Sequence, residues 1–213
     1  PWNYPLLLAI SPLICALAAG NRAMLKMSSF TPRTGETLKR ALAEAFSEDQ
    51  VAVITGGGIV SDAFSRLPFN QMTFTGSTNV GRTVMAAAAE NLTPVLLELG
   101  GKSPAIVHDS VPMKDVAERI ALGKGWNAGQ TCVAPDYVFL PKGKTLDFVA
   151  AMRSAIAKMY PTMLNNPDYT SIVNNKQYQR IKGYLDDAID QGAELFEINP
   201  ANESFTNTRK MPV

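Results

Sequence analysis

Between residues 23 and 99 the hydrophobic pattern keeps switching period, from short apolar runs to stretches whose apolar residues recur every three or four positions. Few architectures accept that alternation. Ala23 to Met27 and Val51 to Ile54 read as short buried strands. Between them Leu38, Ala41, Leu42, Ala45 and Phe46 recur at helical spacing, with Thr34 as the expected cap. Gly56-Gly57-Gly58 ends the second strand and opens a helix to Leu67. Gln71 to Thr75 is a third strand, Asn79 to Glu90 a helix, and Pro94 to Leu99 a fourth strand. Strands alternating with helices predict an α/β fold with a doubly wound parallel sheet, in which ligands sit at the carboxyl ends of the strands. Gly76, Ser77, Glu98 and Leu99 fall at such ends.

The flanking segments are read with the same rules. Leu6 to Ala19 is expected to be a buried helix closed by Gly20-Asn21, with Cys15 in the core. It is shorter than the roughly 18 apolar residues of a membrane span and contains Pro12. Beyond Gly101, Ala105 to Val107 and Tyr137 to Leu140 are strand-like, and a helix runs from about Met113 into the Gly125 turn. Leu146, Val149, Ala150, Ile156 and Ala157 mark one further helix. Tyr178, Ile181, Leu185, Ala188 and Ile189 mark another, and little periodicity remains after Gly192. Two domains are expected, 1-101 and 102-213. The start at Pro1, without an initiator methionine, reads as a fragment.

Charge and cysteine content narrow the classes of function. Twenty basic and nineteen acidic residues leave a net charge of +1 with no dense basic run, which argues against a nucleic-acid or anionic-membrane partner. A small, weakly charged substrate fits better. Two cysteines, Cys15 and Cys132, are too few for a disulfide framework and suit a reduced, cytoplasmic setting.

Two motifs carry chemistry. Glu98 stands in Glu98-Leu99-Gly100-Gly101-Lys102, and Cys132 ends Gly129-Gln130-Thr131-Cys132. A carboxylate that can activate water and a thiol that can attack a carbonyl carbon together suit acyl transfer through a thioester. The only histidine, His108, reads as a surface-loop residue and not as a partner for the thiol. Phe74-Thr75-Gly76-Ser77-Thr78-Asn79-Val80-Gly81 reads as strand, small-residue turn and helix, which can present backbone N–H groups to a phosphate. Packing alone would use the same small residues. The three-glycine dinucleotide fingerprint is absent, and Gly56-Gly57-Gly58 reads as a turn. Trp126, Tyr4 and the methionines could line an aromatic-tolerant tunnel but read first as core, and no metal site is expected.

The chain resembles the aldehyde dehydrogenase superfamily in Pro1-Trp2-Asn3-Tyr4-Pro5, Gly20-Asn21 with Lys26, Phe74-Thr75-Gly76-Ser77, Glu98-Leu99-Gly100-Gly101-Lys102 and Gly129-Gln130-Thr131-Cys132. Glu98 and Cys132 lie 132 − 98 = 34 residues apart, as the family's glutamate and nucleophile do. Asn3-Tyr4-Pro5-Leu6, Cys132-Val133-Ala134-Pro135-Asp136-Tyr137 and Asn166-Pro167-Asp168-Tyr169 are similar to the class 3 branch. Lys26-Met27-Ser28 with Phe30-Thr31-Pro32-Arg33-Thr34-Gly35 is most similar to its bacterial coniferyl aldehyde dehydrogenases.

This resemblance implies NAD(P)-dependent oxidation of an aldehyde to a carboxylic acid. Residues 1-101 would be part of the NAD(P)-binding domain and residues 102-213 part of the catalytic, thiol-bearing domain. Cys132 would be the nucleophile, Glu98 the base for water, and Asn3, with the Cys132 backbone N–H, the oxyanion donors. Lys26, Ser29, Gly57, Gly76, Ser77, Val80 and Leu99 would meet the cofactor, NAD or NADP. Ser29 stands where many NAD-preferring members carry a ribose-binding glutamate, so NADP is expected to be tolerated. The complete protein would be a homodimer, and this piece alone would be prone to aggregate. Two other readings stand beside this one: a truncated, inactive piece that binds part of the cofactor, and an acylating enzyme that passes the thioester to coenzyme A. The acylating branch commonly lacks a glutamate at the position of Glu98.

Overall fold

The alternating pattern folds into parallel strand pairs flanked by helices. The structure is a computed structural model describing residues 1–213, which fall into two units, residues 1–100 and 101–213. In the first unit the order is α1 (Leu7–Ala18), β1 (Ala23–Lys26), α2 (Pro32–Ala45), β2 (Val51–Ile54), α3 (Gly58–Ser65), β3 (Met72–Gly76), α4 (Thr78–Ala89) and β4 (Val95–Leu99). β1 pairs in parallel with β2, from Ala23↔Val51 to Lys26↔Ile54. β3 pairs in parallel with β4, from Met72↔Val95 to Gly76↔Leu99. The class is α/β with parallel strands, as expected, and the ladders form pairs in place of one continuous sheet.

Helix ends differ from the expectation in one instructive place. Thr34 was expected to cap α2, but Thr31 holds the N-cap position and Thr34 lies inside the first turn. Pro32 explains the shift: it has no N–H to satisfy and its ring presets a helical φ, so it starts a helix well. The C-terminus of α1 follows the expected rule. Gly20 adopts φ +79, and the backbone and side-chain amides of Asn21 donate to the Ala16 carbonyl at 3.0 and 3.1 Å.

α1 itself is not the buried helix expected. Ala9 and Ile10 pack on the Met27, Leu38 and Val53 core, and Leu13 alone in the helix is fully buried. These positions share one face at the three-to-four spacing of a helix. Cys15 lies two positions, about 200°, beyond Leu13 and is exposed, not core. Leu7 and Ile14 are likewise exposed. An apolar helix buries only the face that finds a partner.

The second unit contains β5 (Ser103–Ile106), α5 (Met113–Gly125), a 3₁₀ turn at Trp126–Gly129, β6 (Pro135–Phe139), α6 (Thr145–Met159) and α7 (Asn175–Asp190). β5 and β6 are parallel, with a bulge between Ser103 and Pro104. Ala117 and Ala121 on α5 and Ala155 and Ile156 on α6 belong to one buried cluster with Met163, Tyr160 and Tyr169. The small side chains let the two helices approach closely. Trp126, read as core, is 64% exposed where the chain leaves α5.

The stretch after Gly192 has no regular element, yet it is tied down. Ile198 and Val213 exchange two backbone hydrogen bonds, at 2.6 and 3.2 Å. The Glu203 carboxylate accepts from the backbone N–H of Met163 at 2.6 Å and of Leu164 at 3.1 Å. Lys210 Nζ donates to the carbonyls of Met163, Leu164 and Asn166 at 2.8, 2.9 and 2.9 Å. Buried backbone outside helices and strands still needs partners, and these two side chains supply them for the 163–166 loop.

Tyr160 and Tyr169 pack edge to face with ring centroids 5.0 Å apart, and Tyr169 Oη donates to the Met211 carbonyl at 2.7 Å. Burial, with a smaller contribution from Tyr160, pushes the Tyr169 phenol up to about 12 from an ordinary value of 10.0. A raised folded-state value means that the phenol's contribution to stability is complete below about pH 10 and is lost as pH rises toward 12, because only the unfolded chain ionises freely. A rise of that size corresponds to about 2–3 kcal/mol. Tyr169→Phe is expected to flatten the fall in unfolding free energy across that window. Urea unfolding at pH 9, 10 and 11 reads it, and unchanged slopes for the variant would refute the assignment.

No helix is long and apolar enough to cross a membrane.

Candidate active site

The β3–β4 ladder brings three of the expected site residues, Gly76, Glu98 and Leu99, to adjacent strand ends. Thr75 lies opposite Glu98 and Gly76 opposite Leu99, both pairs at the carboxyl ends of their strands. Ser77 follows directly as the N-cap of α4 and accepts a hydrogen bond from the Val80 N–H at 3.4 Å. The first intrahelical bond runs from the Gly81 N–H to the Ser77 carbonyl, so the amides of Thr78 and Asn79 belong to the helix end that has no internal acceptor. Glu98, Ser77 and Val80 are exposed and Leu99 is half-buried. Leu99 also leans on α4: a Cβ added to Gly81 would stand 2.8 Å from Leu99 Cδ2.

A second group gathers at the ends of β1 and β2. Lys26 pairs with Ile54 at the last rung, Ser29 follows three residues later and is exposed, and Gly57 is the N-cap of α3. Lys26 Nζ donates to the Met27 carbonyl at 2.8 Å. Partial burial pushes its ammonium below the ordinary lysine value. A Cβ added to Gly57 would meet nothing within 4 Å, so open space lies in front of this helix end. Gly57 and Ser77 each stand at a helix N-terminus that follows a strand, a position that can face an anionic group.

Cys132 belongs to the other unit and sits on the turn between the 3₁₀ segment and β6, exposed. The approach to it is unusual. Asn127, Ala128 and Gly129 take φ +50, +51 and +72 in succession. A left-handed conformation costs a non-glycine residue roughly 1–2 kcal/mol, so two of these three positions hold strain next to the thiol. Gly101 closes on the turn from β5: a Cβ there would stand 3.0 Å from the Cys132 carbonyl oxygen. Lys102 and Asp136 form an ion pair in the same unit.

Asn3 lies in the irregular segment before α1, half-buried and engaged in contacts within the fold. His108 is exposed and occupied with Ser110, its Nδ1 2.9 Å from Ser110 Oγ and 3.2 Å from the Ser110 N–H. No group of three or more histidine, cysteine, aspartate or glutamate side chains converges to hold a metal. Sequence reasoning passed over Gln130 except as a neighbour of the thiol. Its side chain makes three hydrogen bonds to backbone, and no local pattern announces them.

The model of the aldehyde dehydrogenase family matches residues 1–205. A probable coniferyl aldehyde dehydrogenase of Pseudomonas aeruginosa is 62% identical over 92% of this chain and 41% of its own length. Coniferyl aldehyde dehydrogenase of a Pseudomonas species is 50% identical over 96% of the chain and 43% of its own length. Among solved structures, the substrate-bound state of Staphylococcus aureus AldH superposes with a TM-score of 0.85 at 43% identity, covering 92% of this chain and 43% of that one. Mycobacterium tuberculosis aldehyde dehydrogenase complexed with NAD+ superposes at 0.83 with 34% identity, covering 92% and 41%. The chain thus spans under half the length of these relatives, and it belongs to the aldehyde dehydrogenase family.

Proposed function

We propose that this chain carries the nucleophile, the water-activating base and much of the nucleotide-binding surface of an NAD(P)-dependent aldehyde dehydrogenase. The observation that carries the reading is the β3–β4 register. It sets Glu98 beside Thr75 and Leu99 beside Gly76, so a carboxylate and a phosphate-suited helix end share one strand edge. The exposed thiol of Cys132, on its left-handed turn, supplies the second half.

The resemblance to the aldehyde dehydrogenase family assigns each residue a role that its chemistry can perform. Cys132 Sγ attacks the aldehyde carbon, and its own backbone N–H with the side-chain amide of Asn3 donates to the resulting oxyanion. The bound dinucleotide supplies a hydride acceptor. Cys132 is left as a thioester, and Glu98 takes a proton from the water that hydrolyses it. Lys26, Ser29 and Gly57 hold the adenosine end with Val80 near the adenine, Gly76 and Ser77 meet the pyrophosphate, and Leu99 lies toward the nicotinamide. An aromatic aldehyde such as coniferyl aldehyde is the first substrate to try, because two of the relatives above carry that name. Retention of Glu98 argues for water over coenzyme A as the acceptor.

Appearance of reduced nicotinamide from coniferyl aldehyde with NAD or NADP tests the reading in a polypeptide of the relatives' full length that carries this segment. Silence there with both cofactors and a panel of aldehydes would refute it. A second reading rests on the chain's span of about 41% to 44% of its relatives: alone, it binds part of the dinucleotide and turns nothing over. Activity of the longer polypeptide with silence of the 213 residues alone would support that reading for this piece. The exposed Ser29 makes a finer point. A carboxylate at that position would repel a 2′-phosphate. Ser29→Glu is therefore expected to raise KM for NADP about tenfold more than KM for NAD, and an equal change in both would refute the placement.

A further inference from the structure

We propose that Gln130 is a positioning residue that holds the Cys132 turn in place by standing in for a peptide group beside residues 171–173; the catalytic part of this inference rests on the function proposed above. The geometry is that of a parallel strand pairing. In a parallel ladder a residue donates its N–H to the carbonyl before the facing residue and accepts from the N–H after it. Gln130 does this with its side chain. Nε2 donates to the Ser171 carbonyl at 3.1 Å and Oε1 accepts from the Val173 N–H at 2.9 Å, bracketing Ile172. The second proton of Nε2 goes to the Asn127 carbonyl at 3.0 Å, so both donors are used.

Both sides of this joint are fixed. On the thiol side, Asn127 Nδ2 donates to the Gln130 carbonyl at 3.3 Å, and the Gln130 and Ala134 N–H groups close short turns onto Asn127 and Thr131. On the far side, the Ile172 N–H donates to the Arg209 carbonyl at 2.9 Å, and Arg209 Nη1 donates to the carbonyls of Ile172, at 3.0 Å, and Val173. Directly after, Asn174 caps α7 by accepting from the Gln177 N–H at 3.0 Å. The segment 171–173 is therefore an anchored edge, and Gln130 fastens the left-handed turn to it two residues before the nucleophile. These local bonds work against a cost, because Asn127 and Ala128 sit in a left-handed conformation. Only a side chain with two donors and one acceptor at this reach satisfies Asn127, Ser171 and Val173 together.

The test uses a polypeptide of the relatives' full length and two substitutions. Gln130→Met keeps the length and removes all three bonds. Gln130→Glu keeps the acceptor and sets oxygen against two carbonyls. Both are expected to lower kcat about 10- to 100-fold, as misplacement of a reacting group by about 1 Å does, with KM for aldehyde and dinucleotide within about threefold. Hydrogen exchange at the Val173 amide, slow in the parent, is expected to speed up at least tenfold in Gln130→Met. Unchanged kcat, kcat and KM worsening together with a large fall in thermal midpoint, or fast Val173 exchange in the parent would each overturn the proposal. The exchange arm needs neither turnover nor a folded variant to expose a false clamp. A parent inactive toward every aldehyde, with slow Val173 exchange that Gln130→Met releases, would remove the catalytic reading and leave the clamp standing.

Discussion

Replacing Cys132 with serine is expected to abolish aldehyde oxidation in a polypeptide of the relatives' length, a loss of at least about 10,000-fold in kcat, as removal of a nucleophile causes elsewhere. The change is one atom. The exposed turn, the left-handed residues before it and the Gln130 bonds are all backbone or neighbouring-side-chain features that serine leaves in place. What changes is reactivity: sulfur is intrinsically the far stronger nucleophile, whereas a serine hydroxyl needs an adjacent general base to attack a carbonyl carbon. Dinucleotide affinity is expected to stay within about threefold, because every proposed nucleotide-binding side chain is kept and serine differs from cysteine by one atom. Turnover within tenfold of the parent would remove Cys132 from the role.

Glu98→Gln should fail differently, and the difference separates the two halves of the reaction. Glutamine keeps the shape of the side chain opposite Thr75 and loses the ability to take a proton. A general base is worth about 10² to 10⁴ in rate, so steady-state turnover is expected to fall by that factor. The first turnover does not need the base for hydrolysis. Mixing the variant with saturating substrate should give a rapid burst of about one reduced nicotinamide per Cys132, followed by a slow phase, with an acyl adduct on the cysteine visible by intact mass. A variant that loses the burst in step with the slow phase would move Glu98 out of hydrolysis and into an earlier step. Full steady-state activity would remove it altogether.

Local pattern carried the elements well and their surroundings less well. Val51-Ala52-Val53-Ile54 and the spaced leucines and alanines of α2 announce strand and helix because period and turn residues act over short distances. Cys15 was misjudged for a physical reason. An apolar run says that a helix can be buried and does not say which of its faces meets a neighbour, and α1 buries one face only. Thr34 lost the cap to Thr31 because Pro32 is a stronger start signal than a hydroxyl. For the site, the residue types and the glycine-rich contexts of Glu98 and Cys132 were legible, as was the strand-turn-helix at Gly76 and Ser77. The three left-handed residues before Cys132 and the reach of Gln130 to residues 171–173 were not. A hydrogen bond from a side chain to backbone some forty residues away leaves no periodic trace. The same holds for Glu203 and Lys210, whose tail reads as featureless and yet secures the 163–166 loop.

The anchoring of Ile172 and Val173 by Arg209 also has a consequence in time. Arg209 follows Cys132 by 209 − 132 = 77 residues. At about 5–20 residues per second, the ribosome makes that stretch in roughly 4–15 seconds. Through that interval the cysteine already exists while the far end of its restraint does not. Until Arg209 emerges, the turn that carries the thiol is held by its short local bonds and by an edge that is not yet anchored.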